Sequence, residues 1–337
     1  MDEIVSITNN LGMSVTCSTV GAGLVDIRVP DKNGKIESVV VRPAKYSQYY
    51  HAKGSFGKPC GRTAGRISPK TFAIDGKSYT IETGNDKTFA LHGGKEGYSD
   101  KTFDYKREAA DDHYSLIFTY LSKDGEGGYP ANLKVTITYT IFNDQYRLLI
   151  HYGASTDKPT LCNITCHAYF NMSGEAKRNI LNQEMFINAS KVGEVNENTV
   201  AVKLNPVDKA FDFRKPHKIG DFIELPEVQK YTMGYDIPYV LDKQDKNVLQ
   251  ASVWDAESGR LLEIYTSYDA VVCYSSNHPS EYIIQNGNEL GKYDGICLEM
   301  QYFPNSINSS FIKEKKDILR PGKDYDNFIE YRFSIKK

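Results

Sequence analysis

Short stretches in which hydrophobic and polar residues alternate follow one another along most of the chain. A period of two residues is typical of β-strands that bury one face. The alternating stretches occupy residues 15–20, 23–29, 38–42, 71–74, 78–81, 114–121, 133–142, 146–155, 237–241, 249–255, 261–266 and 271–275. Because no window of a dozen residues carries an apolar stripe of helical period, helices should be few and short.

Turn residues separate these predicted strands. Residues 30–34 have the sequence Pro-Asp-Lys-Asn-Gly, and residues 75–77 have the sequence Asp-Gly-Lys, so both segments are predicted as hairpin turns. Residues 188–235 contain prolines and show weak periodicity, which predicts extended loops that carry functional groups. Since neither a repeat nor a linker divides the chain, the sequence predicts one all-β domain over residues 1–337, a large antiparallel β-sandwich.

A carboxylate lies on a predicted strand near the C-terminus. Alternation over residues 295–304 places Glu299 on the polar face of this strand, opposite to Leu298 and Met300. Taken alone, such a glutamate is typical of a solvated sheet face. Its interpretation as a functional residue depends on whether a second group of suitable chemistry lies in a comparable setting.

Residues 162–167 offer a histidine in such a setting. Cys162 and Cys166 belong to the apolar side of an alternating stretch, and His167 belongs to its polar side. A metal or haem site is not favoured here. Three residues, rather than two, separate the cysteines, and both thiols would point away from the histidine.

A second histidine and a pair of arginines form a further candidate site. His92 ends a short alternating stretch at a Gly-Gly bend, where bare backbone leaves room for a close approach. Upstream, Arg62 and Arg66 lie among small residues. The histidine could equally be a hydrogen-bonded structural residue, and the arginines could form ordinary ion pairs, so both interpretations stay open.

Composition restricts the class of partner. The 337 residues include 41 basic and 43 acidic side chains, and the formal net charge is -2, so a small neutral molecule is expected rather than nucleic acid. The six cysteines lie mostly within apolar alternation, which predicts buried free thiols in a reducing compartment. No apolar run approaches the ~20 residues of a membrane span, and the N-terminus does not resemble a signal peptide. A cytoplasmic monomer or homodimer is expected.

Several segments occur in an order that resembles the aldose 1-epimerase, or galactose mutarotase, family. They are residues 61–67, Leu-His-Gly-Gly at 91–94, Glu-Gly-Gly-Tyr-Pro at 126–130, His-Ala-Tyr-Phe-Asn at 167–171, Phe-Asp-Phe-Arg at 211–214, Gly-Tyr-Asp at 234–236, and Cys-Leu-Glu at 297–299 with Phe-Pro at 303–304. The resemblance covers most of the chain and implies the supersandwich fold of that family.

The resemblance implies roles for five residues. Glu299 matches the general base that takes the proton of the anomeric hydroxyl, and His167 matches the general acid that protonates the ring oxygen. Arg66 and His92 match sugar-binding residues, and Asp236 matches the carboxylate that holds ring hydroxyls. The family uses neither a metal nor an organic cofactor, so none is expected, and the implied substrate is a free aldose such as galactose or glucose.

These roles agree with simple acid–base chemistry. Mutarotation removes a proton from one oxygen and delivers a proton to a second oxygen on the same carbon. At neutral pH an ordinary glutamate is ionised, and a histidine with a pKa of roughly 6.5 can present a proton. Positioned acid and base groups each accelerate such a step by on the order of 100 to 10,000-fold.

Two departures from the family pattern leave the preferred sugar open. Gly65 stands where the family commonly has asparagine, and Val272 stands where many members have glutamine, so glucose or maltose are candidates beside galactose. Two other functions also stay open. One is a hexose 6-phosphate 1-epimerase, in which Arg62, Arg66 and Arg214 could contribute to a phosphate pocket, and the other is a non-catalytic carbohydrate-binding protein.

Overall fold

A computed structural model describes residues 2–52, 55–84, 88–243 and 245–336. Met1 and Lys337, the two ends of the predicted domain, lie outside these ranges. The first strands are β1 (Ile4–Thr8), β2 (Ser14–Ser18), β3 (Gly23–Pro30), β4 (Ile36–Ser38), β5 (Pro59–Cys60), β6 (Arg66–Ile67), β7 (Thr71–Ile74), β8 (Lys77–Thr80), β9 (Ala90–Leu91), β10 (Asp104–Ala109), β11 (His113–Ser122), β12 (Leu133–Phe142) and β13 (Arg147–Thr156). The remaining strands are β14 (Thr160–Leu161), β15 (Thr165–Cys166), β16 (Glu184–Ile187), β17 (Lys191–Val195), β18 (Ala201–Pro206), β19 (His217–Lys218), β20 (Asp236–Val240), β21 (Ala251–Trp254), β22 (Arg260–Thr266), β23 (Ala270–Tyr274), β24 (Ser280–Ile283), β25 (Glu289–Leu290), β26 (Cys297–Gln301), β27 (Ile318–Leu319) and β28 (Tyr325–Ile335).

Two large antiparallel sheets dominate the described part of the chain. A nine-stranded sheet has the order β10-β11-β12-β13-β28-β22-β21-β16-β19, and a five-stranded sheet has the order β18-β17-β20-β23-β26. A four-stranded sheet of β1 to β4 contains the hairpin predicted around residues 30–34. The second predicted hairpin, around residues 75–77, joins β7 and β8. The predicted antiparallel all-β class is confirmed.

One hydrophobic cluster packs between the two large sheets. Ile137 and Ile264 of the nine-stranded sheet and Val271 of the five-stranded sheet all belong to it and are fully buried. Each such side chain contributes roughly 2 kcal/mol by leaving water. The sulfur atoms of Met185 and Cys273 join the two sheets directly, at 4.0 Å. One face of the five-stranded sheet therefore packs in the hydrophobic core, and the other face points away from it.

Helical segments are few and short, as predicted. The described ranges contain 3-10 turns at Tyr46–His51, Gly94–Glu96, Tyr98–Asp100, Glu126–Gly128, Ile219–Asp221 and Ser306–Asn308, and one α-helix at Pro226–Gln229. None of the helices within the same ranges has the length and apolar character that a membrane crossing requires. The cysteines are all free and buried, as predicted, and the reducing compartment stays a prediction.

The prediction of extended loops over residues 188–235 is wrong for the first part of this range, residues 191–206. Strands β17 and β18 pair there as a hairpin. Strand β18 lies at the edge of its sheet, and most of its residues are exposed or half-buried. Because most side chains of this edge strand are at least partly exposed, it does not need regular alternation, and its sequence pattern is weak.

The bend after β9 is tight because the chain's own backbone passes beside it. His92, Gly93 and Gly94 have φ angles of +50°, +92° and +79°. A Cβ atom on Gly93 would lie 1.9 Å from the carbonyl oxygen of Gly61. The bare backbone thus makes room for a neighbouring segment of the chain, and this contact sets the position of His92.

We expect Gly93→Ala to lower the free energy of unfolding by about 3 kcal/mol, because the new methyl group would overlap the Gly61 carbonyl and φ is left-handed. Gly76→Ala is a matched control. Its φ is +79°, but a Cβ there meets nothing within 4 Å, so only about 1 kcal/mol should be lost. Urea denaturation of both variants measures the difference, and equal losses would contradict the steric explanation.

Candidate active site

All five residues to which the resemblance gives roles line one cleft of about 230 Å³. Glu299, His167, Arg66, His92 and Asp236 are brought there from five separate segments of the chain. The cleft lies on the face of the five-stranded sheet that is turned away from the hydrophobic core.

Sheet register places the two carboxylates on this face. Asp236 pairs with Tyr274, and Val272 pairs with Glu299 across the neighbouring strands. Because directly paired residues share a face and the side chains alternate, all four point into the cleft. Their neighbour Leu298 points the other way, into the core cluster. The strand and the orientation predicted for Glu299 are therefore correct.

The polar face of β26 is not solvated, however. Every residue of the strand is buried, and Glu299 is only 2% exposed. The reason is that chain segments around His92 and His167 cover this face of the sheet. The interpretation of Glu299 as a wet strand glutamate is thus excluded.

His167 is held by backbone contacts on a nearly irregular segment. Strand β15 has only two residues, paired with β5, and the His167 amide donates to the carbonyl of Lys58 at 3.2 Å. The His167 carbonyl accepts from the amide of Gly57 at 2.9 Å. As the alternation predicted, Cys162 and Cys166 pack in the core and His167 points to the opposite side, into the cleft. Both sides of this segment are buried, however.

Glu299 and His167 form a direct contact. Glu299 Oε1 lies 3.3 Å from Nε2 of His167. Burial raises the pKa of Glu299 to about 8 and lowers the pKa of His167 to about 4. The expectation of ordinary pKa values is therefore wrong for both groups. Near neutral pH the pair holds one proton, and burial favours the arrangement in which both groups are neutral.

The remaining polar atoms of this pair lack partners. Among the described residues, none forms a hydrogen bond with Glu299 Oε2 or with His167 Nδ1, although both atoms are buried. Buried polar atoms are normally satisfied, and exceptions of this kind are expected at binding sites. A hydroxylated ligand in the cleft could supply the missing hydrogen bonds.

A second group of polar side chains completes the wall. Arg66 Nη2 lies 3.3 Å from Asp236 Oδ2. The amide of Gly65 donates a hydrogen bond to Nδ1 of His92 at 3.2 Å. Burial, with His167 and Arg66 nearby, lowers the pKa of His92 well below its usual range, so this ring is neutral. Its proton must then lie on Nε2, which makes His92 a hydrogen-bond donor.

One set of donor atoms comes close enough to consider a metal ion. Cys60, His92 and Glu299 each bring one donor within 4.8 Å of the others. However, the Gly65 amide occupies the lone pair of Nδ1 and the proton occupies Nε2, so the neutral His92 ring has no free lone pair. Burial also raises the pKa of the Cys60 thiol well above its ordinary value. This donor set does not favour a metal, and the absence of a metal cofactor stays a prediction.

Some residues of the cleft were not found from the sequence. Tyr169 and Tyr274 stand beside His167, with ring centroids 5.0 and 6.0 Å away, and His278 and Thr199 also line the cleft. A polar run that ends in proline directly after β23 was a weak signal for His278. No local signal marks Thr199, because only the β17–β18 hairpin carries it to the cleft.

Both positions that depart from the family pattern face the cleft. Gly65 and Val272 line its wall. Gly65 has a φ of +69°, and a Cβ there would lie 2.7 Å from Cβ of Pro304. A side chain at this position would need Pro304 to move. The packing of Pro304 against Gly65 therefore disfavours an asparagine here.

Comparisons with known proteins agree with this geometry. The family model described as aldose 1-epimerase matches residues 3–332. Human galactose mutarotase is 34% identical over 318 residues, which cover 94% of this chain and 89% of the relative. The aldose 1-epimerase of Escherichia coli K12 is 29% identical, with 98% of this chain and 95% of the relative covered.

Solved structures show the same fold. A GalM/aldose epimerase homologue from C. elegans superposes with a TM-score of 0.88 at 27% identity and covers all of both chains. The galactose 1-epimerase from Lactobacillus acidophilus superposes with a TM-score of 0.87 at 24% identity, over 99% of this chain and 95% of that one. The resemblance predicted from the sequence is confirmed, and the chain belongs to the aldose 1-epimerase family.

Proposed function

We propose that this protein is an aldose 1-epimerase that interconverts the α and β anomers of a free aldose such as glucose or galactose. The observation that carries the proposal is the contact of Glu299 with His167 at 3.3 Å inside a polar cleft. The anomeric hydroxyl and the ring oxygen are bonded to the same carbon. A base and an acid that touch each other are therefore close enough to serve both oxygens at once.

In the proposed reaction, Glu299 takes the proton of the anomeric hydroxyl while His167 gives a proton to the ring oxygen. The bond between the anomeric carbon and the ring oxygen breaks, and the anomeric oxygen becomes the carbonyl of a free aldehyde. Rotation about the adjacent carbon–carbon bond turns the other face of the carbonyl toward the hydroxyl group that the ring oxygen has become. Closure then runs the two proton transfers in reverse.

The protonation of the pair suits this sequence. Before ring opening the pair must be a carboxylate and an imidazolium, and after opening it is a neutral carboxylic acid and a neutral imidazole. Both states contain one proton. Because burial disfavours charge, the site favours the neutral state that accompanies ring opening. Hydroxyl donors of a bound sugar and the Arg66 cation would stabilise the carboxylate needed at the start.

The other side chains of the cleft suit a neutral sugar. The Arg66–Asp236 pair offers both donors and an acceptor, and His92 Nε2 offers a donor. Tyr169 and Tyr274 provide aromatic walls for the apolar faces of the ring. Substrate binding by Arg66, His92 and Asp236 is part of the proposal.

Two alternative functions are less well supported. The arginines considered for a phosphate pocket are already engaged: Arg62 is buried and bonds to Ser122, and Arg214 pairs with Asp212. Arg66, the lone lysine or arginine among the described residues that line the cleft, pairs with Asp236. A non-catalytic sugar-binding protein would not need a buried acid–base pair with opposed pKa shifts.

The remaining expectations concern the whole protein. We propose that residues 1–337 form one domain, a view supported by the single cluster shared by the two large sheets. A cytoplasmic location is supported by the free cysteines. A monomer or homodimer without nucleic acid as a partner stays a prediction.

We expect Glu299→Gln to reduce catalysed mutarotation by on the order of 100 to 10,000-fold, because the amide cannot accept the anomeric proton. Polarimetry of freshly dissolved α-D-glucose and α-D-galactose measures the rate. Glu263→Gln, on strand β22 of the nine-stranded sheet, is the matched control and should be unchanged. An active Glu299→Gln variant, or an inactive native protein, would refute the proposal.

The rate should depend on pH through the single proton of the pair. Below about 4, His167 gains a proton and no base remains, and above about 8, Glu299 loses its proton and no acid remains. We therefore expect kcat/KM to be flat between these values and to fall on both sides. Polarimetry across pH, corrected for buffer catalysis, tests this. A fall centred near the ordinary pKa of histidine, about 6.5, would contradict it.

The alkaline limb should respond to the charges beside Glu299. Asp236 raises the pKa of Glu299, and Arg66 lowers it. Asp236→Asn should therefore move the alkaline limb of kcat/KM to lower pH, and Arg66→Gln should move it to higher pH. If the native Asp236 and Arg66 side chains bind the sugar, both variants should also have a higher KM. Shifts in the same direction for the two variants would show that their charges do not act on Glu299.

A further inference from the structure

A second cavity of about 680 Å³ adjoins the cleft on the far side of His92. Ser55, Leu91 and His92 line both spaces, so the cavity and the cleft adjoin each other along these residues. Its volume is larger than the 230 Å³ of the cleft itself. The proposed reaction of a monosaccharide makes no use of this space.

Contacts between neighbouring polar side chains of the cleft can be compared with the positions of the oxygen atoms around a sugar ring. Glu299 contacts His167 at 3.3 Å, and the His167 and His92 rings are 5.3 Å apart in an edge contact. Arg66 follows, since its strand pairs with the strand that ends just before His92. Asp236, which pairs with Arg66, completes the series.

One placement of a pyranose fits these contacts, provided that the proposed function is correct. With the anomeric hydroxyl at Glu299 and the ring oxygen at His167, the next ring atom is C5, which carries the exocyclic C6. The C6 hydroxyl then lies beside His92. The C4 and C3 hydroxyls lie beside Arg66 and Asp236. A group attached to the C6 oxygen would therefore leave the cleft past His92.

We propose that the cavity beyond His92 is a subsite for a neutral sugar unit attached at the C6 oxygen, so that 6-linked reducing disaccharides are substrates. The inference rests on the proposed epimerase activity and adds a substrate class to it. The epimerised ring occupies the cleft, and the second ring occupies the cavity.

The chemistry of the cavity wall suits a second sugar ring. Tyr50 offers an aromatic surface, Ser99 and Thr102 offer hydroxyl groups, and Asp2 and Asp100 offer carboxylates that accept hydrogen bonds from sugar hydroxyls. This combination of aromatic and polar groups resembles the cleft itself.

The charge of the cavity wall also favours a neutral group over a phosphate at C6. None of the described residues that line the cavity is a lysine or an arginine, whereas Asp2 and Asp100 are acidic. Lys58 pairs with Asp100 at 3.7 Å, but its side chain is only 1% exposed and does not line the cavity. On the described part of the wall, a phosphate group would therefore meet negative charge.

The substrate test compares reducing sugars on the native protein. Exchange between the anomeric signals is measured by NMR on equilibrated solutions of glucose, isomaltose, melibiose and glucose 6-phosphate, each with its uncatalysed rate subtracted. Isomaltose and melibiose are 6-linked and should be accelerated with a kcat/KM within about tenfold of that for glucose. Glucose 6-phosphate should be accelerated much less. Acceleration of glucose without acceleration of isomaltose and melibiose would overturn the subsite and leave the epimerase proposal intact.

Variants of the cavity wall test the location. Ser99→Phe fills the cavity and should lower kcat/KM for isomaltose at least about tenfold, while glucose changes less than about twofold. Ser99→Ala is the matched control: it removes one hydroxyl without filling the cavity, so it should lower kcat/KM for isomaltose by only about threefold and leave glucose unchanged. If Ser99→Phe does not fold, Tyr50→Ala decides, because it removes part of the wall and should lower kcat/KM for isomaltose alone. Equal effects on both sugars, or none, would overturn the subsite.

Discussion

The proposed chemistry depends on the burial of a carboxyl group and an imidazole against each other. Removal from water disfavours the charge on each group, so the pKa of Glu299 rises and the pKa of His167 falls. The two shifts leave the pair with one proton over a wide range of pH. A solvated pair with ordinary pKa values would keep the same number of protons over a much narrower range. Burial thus supports the proposed exchange of protons with a sugar.

The fold produces this burial by using the two faces of one sheet differently. Val271 and Leu298 on one face of the five-stranded sheet join the hydrophobic core. The opposite face carries Glu299 and Asp236 and is covered by distant segments of the chain. Because the core face anchors the strands, the polar face can keep atoms without partners, such as Glu299 Oε2, at a cost that the core offsets. The same arrangement fixes the distance between base and acid.

Backbone groups determine much of the rest of the site. The close approach of Gly93 to the Gly61 carbonyl sets the bend that presents His92. The Gly65 amide then selects the tautomer of that ring and makes it a donor. Gly65 was considered from the sequence only for the amide side chain that it lacks. In the structure its main contribution is its own N–H group.

The sequence by itself determined the strand-rich class, the hairpin turns around residues 30–34 and 75–77, and the family, because alternation, turn residues and ordered motifs are local properties of the chain. It also singled out five of the polar residues that line the cleft. It missed the β17–β18 hairpin, whose edge strand needs no regular pattern, and with it Thr199. The pKa values of Glu299 and His167 and the cavity beyond His92 were decided only by the tertiary structure. Desolvation and enclosure depend on which distant segments cover a side chain, and no local pattern records that.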